Sequence, residues 1–269
     1  VVTPAKTTIV LIQNGYGVEL PHRRMFPTNP IVSAVTIISA ALVAPNVVVQ
    51  NRWTRISFGA YSDGGASSAS SISSDSISSD SISSTKEKEM RELQKTGGER
   101  VDWLVETMKE LGGIKDAEAY DEVGLQTVRW HKLAINAAFN PSSILSGGLG
   151  NSEMVRDPEL RAHLKGCMDE IFHAAEKVLG RELPGKLARP EAILRSTERN
   201  VGGKPSMLLD WEAGRPLELE VILGNPVRMA RERGVEMKKL SSLYALLRSM
   251  QEVRNGRKEE EKNSGGAKL

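Results

Sequence analysis

Cysteine is nearly absent: Cys167 is the single thiol in 269 residues. That excludes an internal disulfide and makes a reducing compartment the natural home of the chain. Cys167 falls in an amphipathic helical pattern, where a buried, inert thiol is expected rather than a nucleophile. An excess of one charge is missing too. Lys and Arg number 36 against 34 Asp and Glu, a formal charge of +2 with a pI near 8.6. This balance gives no argument for a nucleic-acid partner or an anionic membrane. No apolar run approaches the ~20 residues that a membrane helix needs. His22, His131, His163 and His173 never fall at ligand spacing with acids or the cysteine, so no metal site is expected. The first residue is Val1, not methionine. The chain is therefore expected to be cut at its N-terminus, with any targeting signal removed; the cytoplasm is the expected location, and a mitochondrial one stays open.

What is present points to an α/β part followed by an all-α part. Residues 7–13 (Thr-Thr-Ile-Val-Leu-Ile-Gln) form a β-branched apolar run suited to a strand buried on both faces of a parallel sheet. It ends at Asn14-Gly15-Tyr16-Gly17, a glycine turn where open α/β sheets place their ligands. Further short strands are expected at 30–36, 47–49 and up to Gly59, with Pro45-Asn46 as a turn. Ser-Ser-Asp-Ser-Ile then repeats in tandem at 73–77 and 78–82. Residues 62–98 are expected to form a disordered serine-rich insertion, because such a composition buries too little apolar area to offset its ordering entropy.

A helix is expected from Val101 to the Gly112-Gly113 stop, and a short strand over 114–120. Helices follow. One spans Trp130 to Asn140, ended by Pro141. One is capped by Asp157-Pro158 and closed by Gly180. Others start at Pro190 and at Ser206, which is expected to cap its helix. Another covers 217–233 with an interruption at Pro226, and the last is marked by Leu240, Leu243, Leu246 and Leu247. Residues 255–269 read as a disordered charged tail. The expected domains are 1–122, part of a nucleotide-binding sheet, and 123–254, a helical substrate domain.

The organising stretch is Trp130-His131-Lys132-Leu133-Ala134-Ile135-Asn136-Ala137-Ala138-Phe139-Asn140-Pro141. Lys132, Asn136 and Asn140, spaced i, i+4, i+8, share one helical face among apolar neighbours. Such a row faces either solvent or a polar ligand.

Four blocks resemble the 2-dehydropantoate 2-reductase (ketopantoate reductase) family, of the 6-phosphogluconate-dehydrogenase-like helical-domain enzymes. They are 11–17 (Leu-Ile-Gln-Asn-Gly-Tyr-Gly), Lys132–Asn136 with Asn140-Pro141, Pro205–Asp210, and Gly214-Arg215 through Glu218 to Gly224-Asn225. The resemblance implies the C-terminal part of a Rossmann-like NADP-binding domain followed by the family's helical domain. The implied reaction is NADPH-dependent reduction of 2-dehydropantoate to pantoate, a step toward pantothenate and coenzyme A. Lys132 is then the general acid. Asn136, Asn140 and Ser206 bind the keto-acid substrate. Asn14 lies beside the nicotinamide, Glu218 touches the cofactor ribose or the substrate, and Asp210 orients neighbours or caps a helix. A homodimer is compatible with this picture.

The family's Gly-x-Gly-x-x-Gly turn is not found in this sequence, nor is a basic residue for the 2′-phosphate. The chain is therefore expected to be a truncated copy that binds NADPH poorly by itself and leaves an open sheet edge. Two alternatives stand beside the reductase. One is a non-catalytic remnant or interaction module; the other is a related enzyme acting on a different 2-keto or 2-hydroxy acid.

Overall fold

A computed structural model describes residues 1–38, 40–50, 54–62, 80–199 and 201–265. The chain divides into two compact units, Val1–Arg129 and Trp130–Leu269. The α/β-then-helical order read from the sequence is the order observed.

The first unit contains β1 (Ile9–Ile12), α1 (Glu19–Met25), β2 (Ile31–Ile37), β3 (Ala40–Ala44), β4 (Val47–Gln50), β5 (Arg55–Tyr61), α2 (Asp80–Glu110), β6 (Asp116–Tyr120) and the first turns of α3 (Glu122–Leu145). One sheet has four strands in the order β1-β2-β5-β6. β1 runs parallel to β2 with Ile9 opposite Ile31, β5 antiparallel to β2 with Tyr61 opposite Ile31, and β6 parallel to β5. β3 and β4 form a separate hairpin. Its Pro45-Asn46 turn places Asn46 at φ 64°, a left-handed conformation that asparagine tolerates.

Three expectations change here. β1 is not buried on both faces: it is the edge strand, and Val10 and Ile12 are exposed while Leu11 is buried. The strands flanked on both sides are β2, buried from Ile31 to Val35, and β5, buried from Ile56 to Ala60. One face of the central strands, with Val32, Ala34, Ile56, Phe58 and Ala60, packs with Val101 and Val105 of α2. Second, the stretch 62–98 is not uniformly without structure. Ser62 is buried and bonded to Glu122, its hydroxyl donating to Oε2 at 2.6 Å, and 80–98 are helical. Residues 63–79 lie outside the described residues. The half-buried Met90 and Leu93 and the buried Gly97 extend the Val101, Leu104, Val105, Met108 stripe backward. Glycine fits where helix and sheet nearly touch: a Cβ at position 97 would lie 2.7 Å from Ala60 Cβ. Third, the division between units falls within α3, past the expected 122/123, because the helix's first turns join α1 through Gln126 and the sheet through Arg129.

The second unit holds the rest of α3, then α4 (Asn151–Arg156), α5 (Pro158–Leu179), α6 (Pro190–Glu198), α7 (Ser206–Glu212), a π turn (Glu220–Gly224), α8 (Asn225–Glu232) and α9 (Lys238–Gly265). Leu164, Met168, Ile171, Leu194, Leu208, Ile222, Leu240 and Leu247 are among its fully buried side chains. Asp157 caps α5, accepting from Leu160 N at 2.8 Å, and Gly180 closes it at φ 65°.

α3 does not stop at Asn140. It carries Pro141 inside and runs to Leu145. An interior proline costs ~3 kcal/mol, but Phe139, Asn140 and Ser142 to Ile144 are all buried, and each large apolar side chain so buried contributes ~1.5–3 kcal/mol. The Ser142 hydroxyl donates to Ala138 O at 2.7 Å. The interruption expected at Pro226 takes the form of the π turn, in which Asn225 N donates to Glu220 O. The tail is also corrected. α9 continues to Gly265, since a Lys/Glu-rich sequence without proline favours helix; 266–269 lie outside the described residues.

Candidate functional site

The candidate residues of the second unit start from α3, which carries Lys132, Asn136 and Asn140 on one face over about 12 Å of helix axis. Alternating with them, Leu133, Ala134, Ala137, Ala138 and Phe139 are buried. Lys132 and Asn136 are half-buried, and Asn140 is 5 % exposed. The turn before it is held by His131, whose Nε2 lies 3.0 Å from Ala188 O and whose ring meets Phe172 edge-on at 5.9 Å. Burial pushes the His131 imidazole below its ordinary pKa, so the ring is neutral near pH 7 and donates to that carbonyl.

Ser206 is placed differently from expectation. It is the first residue of α7, exposed, and the cap position is Pro205, with no side-chain cap bond. The helix starts there because proline's fixed φ of −61° sets the extended entry. The connector before it runs beside the glycine loop that ends α3: Asn151 N donates to Gly203 O at 2.8 Å. Asp210 orients a neighbour, accepting from Arg215 Nε at 2.8 Å. Glu218 is exposed, and its carbonyl accepts from Ile222 N at 3.1 Å, opening the run into the π turn. That turn is tied by Glu220, which takes the Tyr244 hydroxyl and Arg228 Nη2, the latter at 2.6 Å. The Tyr244 hydroxyl above all holds the Glu220 carboxyl below the ordinary range.

Cys167 is fully buried, its Sγ 3.5 Å from His163 Nε2, and burial pushes the thiol up to about 12. It is no nucleophile. Among the described residues no group of three or more His, Cys, Asp or Glu is arranged to hold a metal, and no helix is long and apolar enough to cross a membrane.

In the first unit Asn14 ends β1 in a turn with Gly15 at φ 85° and Gly17 at φ 72°, conformations glycine adopts without strain. Beneath the turn lies a buried polar network that sequence reasoning missed. Arg129 and Glu19 are each 2 % exposed. Arg129 Nη1 donates to Gln13 O at 3.0 Å and to Gly15 O at 2.9 Å. Its Nη2 donates to Ser33 Oγ at 2.6 Å and Ala34 O at 3.3 Å, and lies 3.2 Å from Glu19 Oε1. The same carboxylate oxygen accepts from the Ser33 hydroxyl at 2.7 Å and Gln126 Nε2 at 3.2 Å. A signal existed: Gln126 and Arg129 interrupt the apolar positions of a helix face that includes Leu125, Trp130 and Leu133. Their partner is more than a hundred positions away, beyond the reach of any local pattern.

Two family models match the chain. Ketopantoate reductase PanE/ApbA matches residues 1–63, and Ketopantoate reductase PanE/ApbA C terminal matches 124–251. The crystal structure of 2-dehydropantoate 2-reductase from Methylococcus capsulatus is 30 % identical, with a TM-score of 0.69, covering 94 % of this chain and 68 % of that one. The chain belongs to the ketopantoate reductase family. A 2-dehydropantoate 2-reductase of Nostoc sp. is 25 % identical over 240 residues, 89 % of this chain and 64 % of the relative. An uncharacterised protein of Saccharomyces cerevisiae is 42 % identical over 123 residues, 44 % of this chain and 33 % of the relative. The chain thus spans a third to just under two thirds of the length of these curated relatives.

The Asn14 turn stands at the carboxyl end of a parallel strand, the end at which open α/β sheets place their ligands. The pyrophosphate cradle has no counterpart among the sequence motifs.

Proposed function

We propose that the chain carries the substrate-binding and proton-donating part of an NADPH-dependent 2-dehydropantoate 2-reductase. The observation that supports this most is the Lys132, Asn136, Asn140 row, carried on one face of α3, with Asn140 buried and Lys132 and Asn136 half-buried. NADPH supplies the hydride that reaches the keto carbon. Lys132 gives a proton from its ammonium to the carbonyl oxygen, and until then its charge stabilises the growing alkoxide. Asn136 and Asn140 donate amide hydrogens to substrate oxygens, and Ser206 adds its hydroxyl. Asn14 orients the nicotinamide, and Glu218 accepts from the ribose or the substrate.

The test follows NADPH absorbance with 2-dehydropantoate in a complete reductase that contains this sequence. There Lys132→Ala is expected to lower kcat by about 10²–10⁴-fold, and wild-type turnover in that variant would remove Lys132 as the acid. A second reading is the non-catalytic interaction module, which would keep the helical unit without turnover. A fluorescence titration with NADPH separates the two when run on both lengths: this polypeptide alone is expected to bind more weakly than micromolar, and a complete protein containing it that also failed to bind would favour the module. Micromolar binding with no turnover on 2-dehydropantoate would instead favour another 2-keto or 2-hydroxy acid.

A further inference from the structure

The buried network in the first unit has a geometry that stability alone does not require. A single nitrogen of Arg129, Nη1, takes both carbonyls that bracket Asn14, Gln13 O at 3.0 Å and Gly15 O at 2.9 Å. Gln13 O belongs to the peptide that enters Asn14 and Gly15 O to the peptide that leaves Gly15, so the two-residue segment Asn14-Gly15 is pinned at both ends to one rigid guanidinium. The other nitrogen, Nη2, fastens that guanidinium to the sheet through Ser33 Oγ at 2.6 Å and Ala34 O at 3.3 Å. Glu19, Ser33 and Gln126 converge on the same group, so its position is over-determined. Gly15 and Gly17 leave the turn soft when unpinned, because glycine holds no φ preference of its own.

We infer that Arg129 is a positioning residue for the nicotinamide side of the site: it fixes the place and direction of Asn14 by clamping the carbonyls of Gln13 and Gly15, the residues before and after it. The inference rests on the reading of Asn14 given above. Lysine cannot replace it, since one ammonium has no planar fork to reach the turn and the sheet together.

The test is the side-chain amide signal of Asn14 in a two-dimensional ¹⁵N–¹H spectrum of the whole chain, identified by its loss in Asn14→Asp. In Arg129→Lys and Arg129→Gln this signal is expected to shift and broaden, while those of Asn136 and Asn140 stay in place. An unchanged Asn14 signal in a folded variant overturns the inference. So does loss of folding in both variants, which would make Arg129 a purely structural residue. Where turnover is measured, Arg129→Lys should lower kcat by about 10–100-fold, as a misplaced group does, with little change in KM. In an Asn14→Ala background it should lower kcat no further. Equal losses in both backgrounds would refute action through Asn14. Wild-type turnover in Asn14→Ala alone would instead break the reading of Asn14, leaving the spectroscopic result to stand by itself.

Discussion

Gly97→Ala places a methyl where α2 meets β5, and the structure fixes the sign of the effect. The new Cβ would start 2.7 Å from Ala60 Cβ, with Ala60 Cα at 3.7 Å and Ile31 O at 3.9 Å. All three neighbours are backbone or bonded to it, so relief requires the helix to move by about 1 Å toward ordinary carbon–carbon contact. Overpacking of this kind costs ~1–3 kcal/mol, here toward the upper end, while alanine regains ~1 kcal/mol of helix propensity over glycine. The net expectation is a loss of about 1–2 kcal/mol. Ala60→Gly loses a similar amount, ~0.5–1 kcal/mol in strand entropy and ~0.8 kcal/mol in burial. The double variant only moves the methyl from strand to helix and should lie within about 1 kcal/mol of wild type, a coupling of roughly 2 kcal/mol. The assay is urea unfolding of the first unit, followed by amide exchange in β2 and β5. Additive losses, or a neutral Gly97→Ala, would refute the reasoning and return residues 80–98 to the unstructured stretch that their composition suggests.

Other predictions concern the second unit. Asp157→Ala removes the α5 cap and should cost ~1 kcal/mol, read as a lower urea midpoint; Asp157→Asn should recover most of it. His131 and His163 are both pushed below the ordinary value of 6.5 by burial, so the unfolded chain binds their protons more readily. Their contribution to stability is complete above about pH 6.5 and is lost as pH falls through it. His131→Gln should therefore flatten the stability profile between pH 5 and 7, and an unchanged slope would refute it. Cys167, with its thiol pushed up to about 12, should resist alkylation at pH 8 in the native chain and react fully in urea, as scored by intact mass.

Features with local causes were legible in the sequence. Pro45-Asn46, Asp157-Pro158, Gly180 and Pro190 set turns and caps through their own backbone chemistry, and the structure shows each in place. What was illegible depends on distant neighbours. Pro141 reads as a stop, yet burial of the turn around it carries α3 onward. The early half of α2 reads as polar because its contact with the sheet is made by a glycine, which adds nothing to an apolar pattern. Lys132, Asn136 and Asn140 could be aligned by spacing alone. The Arg129–Glu19 network could not, since its two charges come from opposite ends of the first unit.

The π turn at Glu220–Gly224 makes residue count itself a structural variable. An α-helix turns about 100° per residue, and a π turn absorbs one residue without lengthening the regular ladder on either side. Glu218 and Leu219, which open the turn, are therefore set about that angle from where an unbroken helix would put them relative to α8, whose Pro226, Val227 and Ala230 are buried. Removing any single residue from 220–224 would let α8 run back through the turn as regular helix and swing Glu218 about a quarter of the way around the axis. The direction of that carboxylate is thus written in the length of the segment as much as in its chemistry, and a one-residue deletion there should be felt at position 218 before any side chain is exchanged.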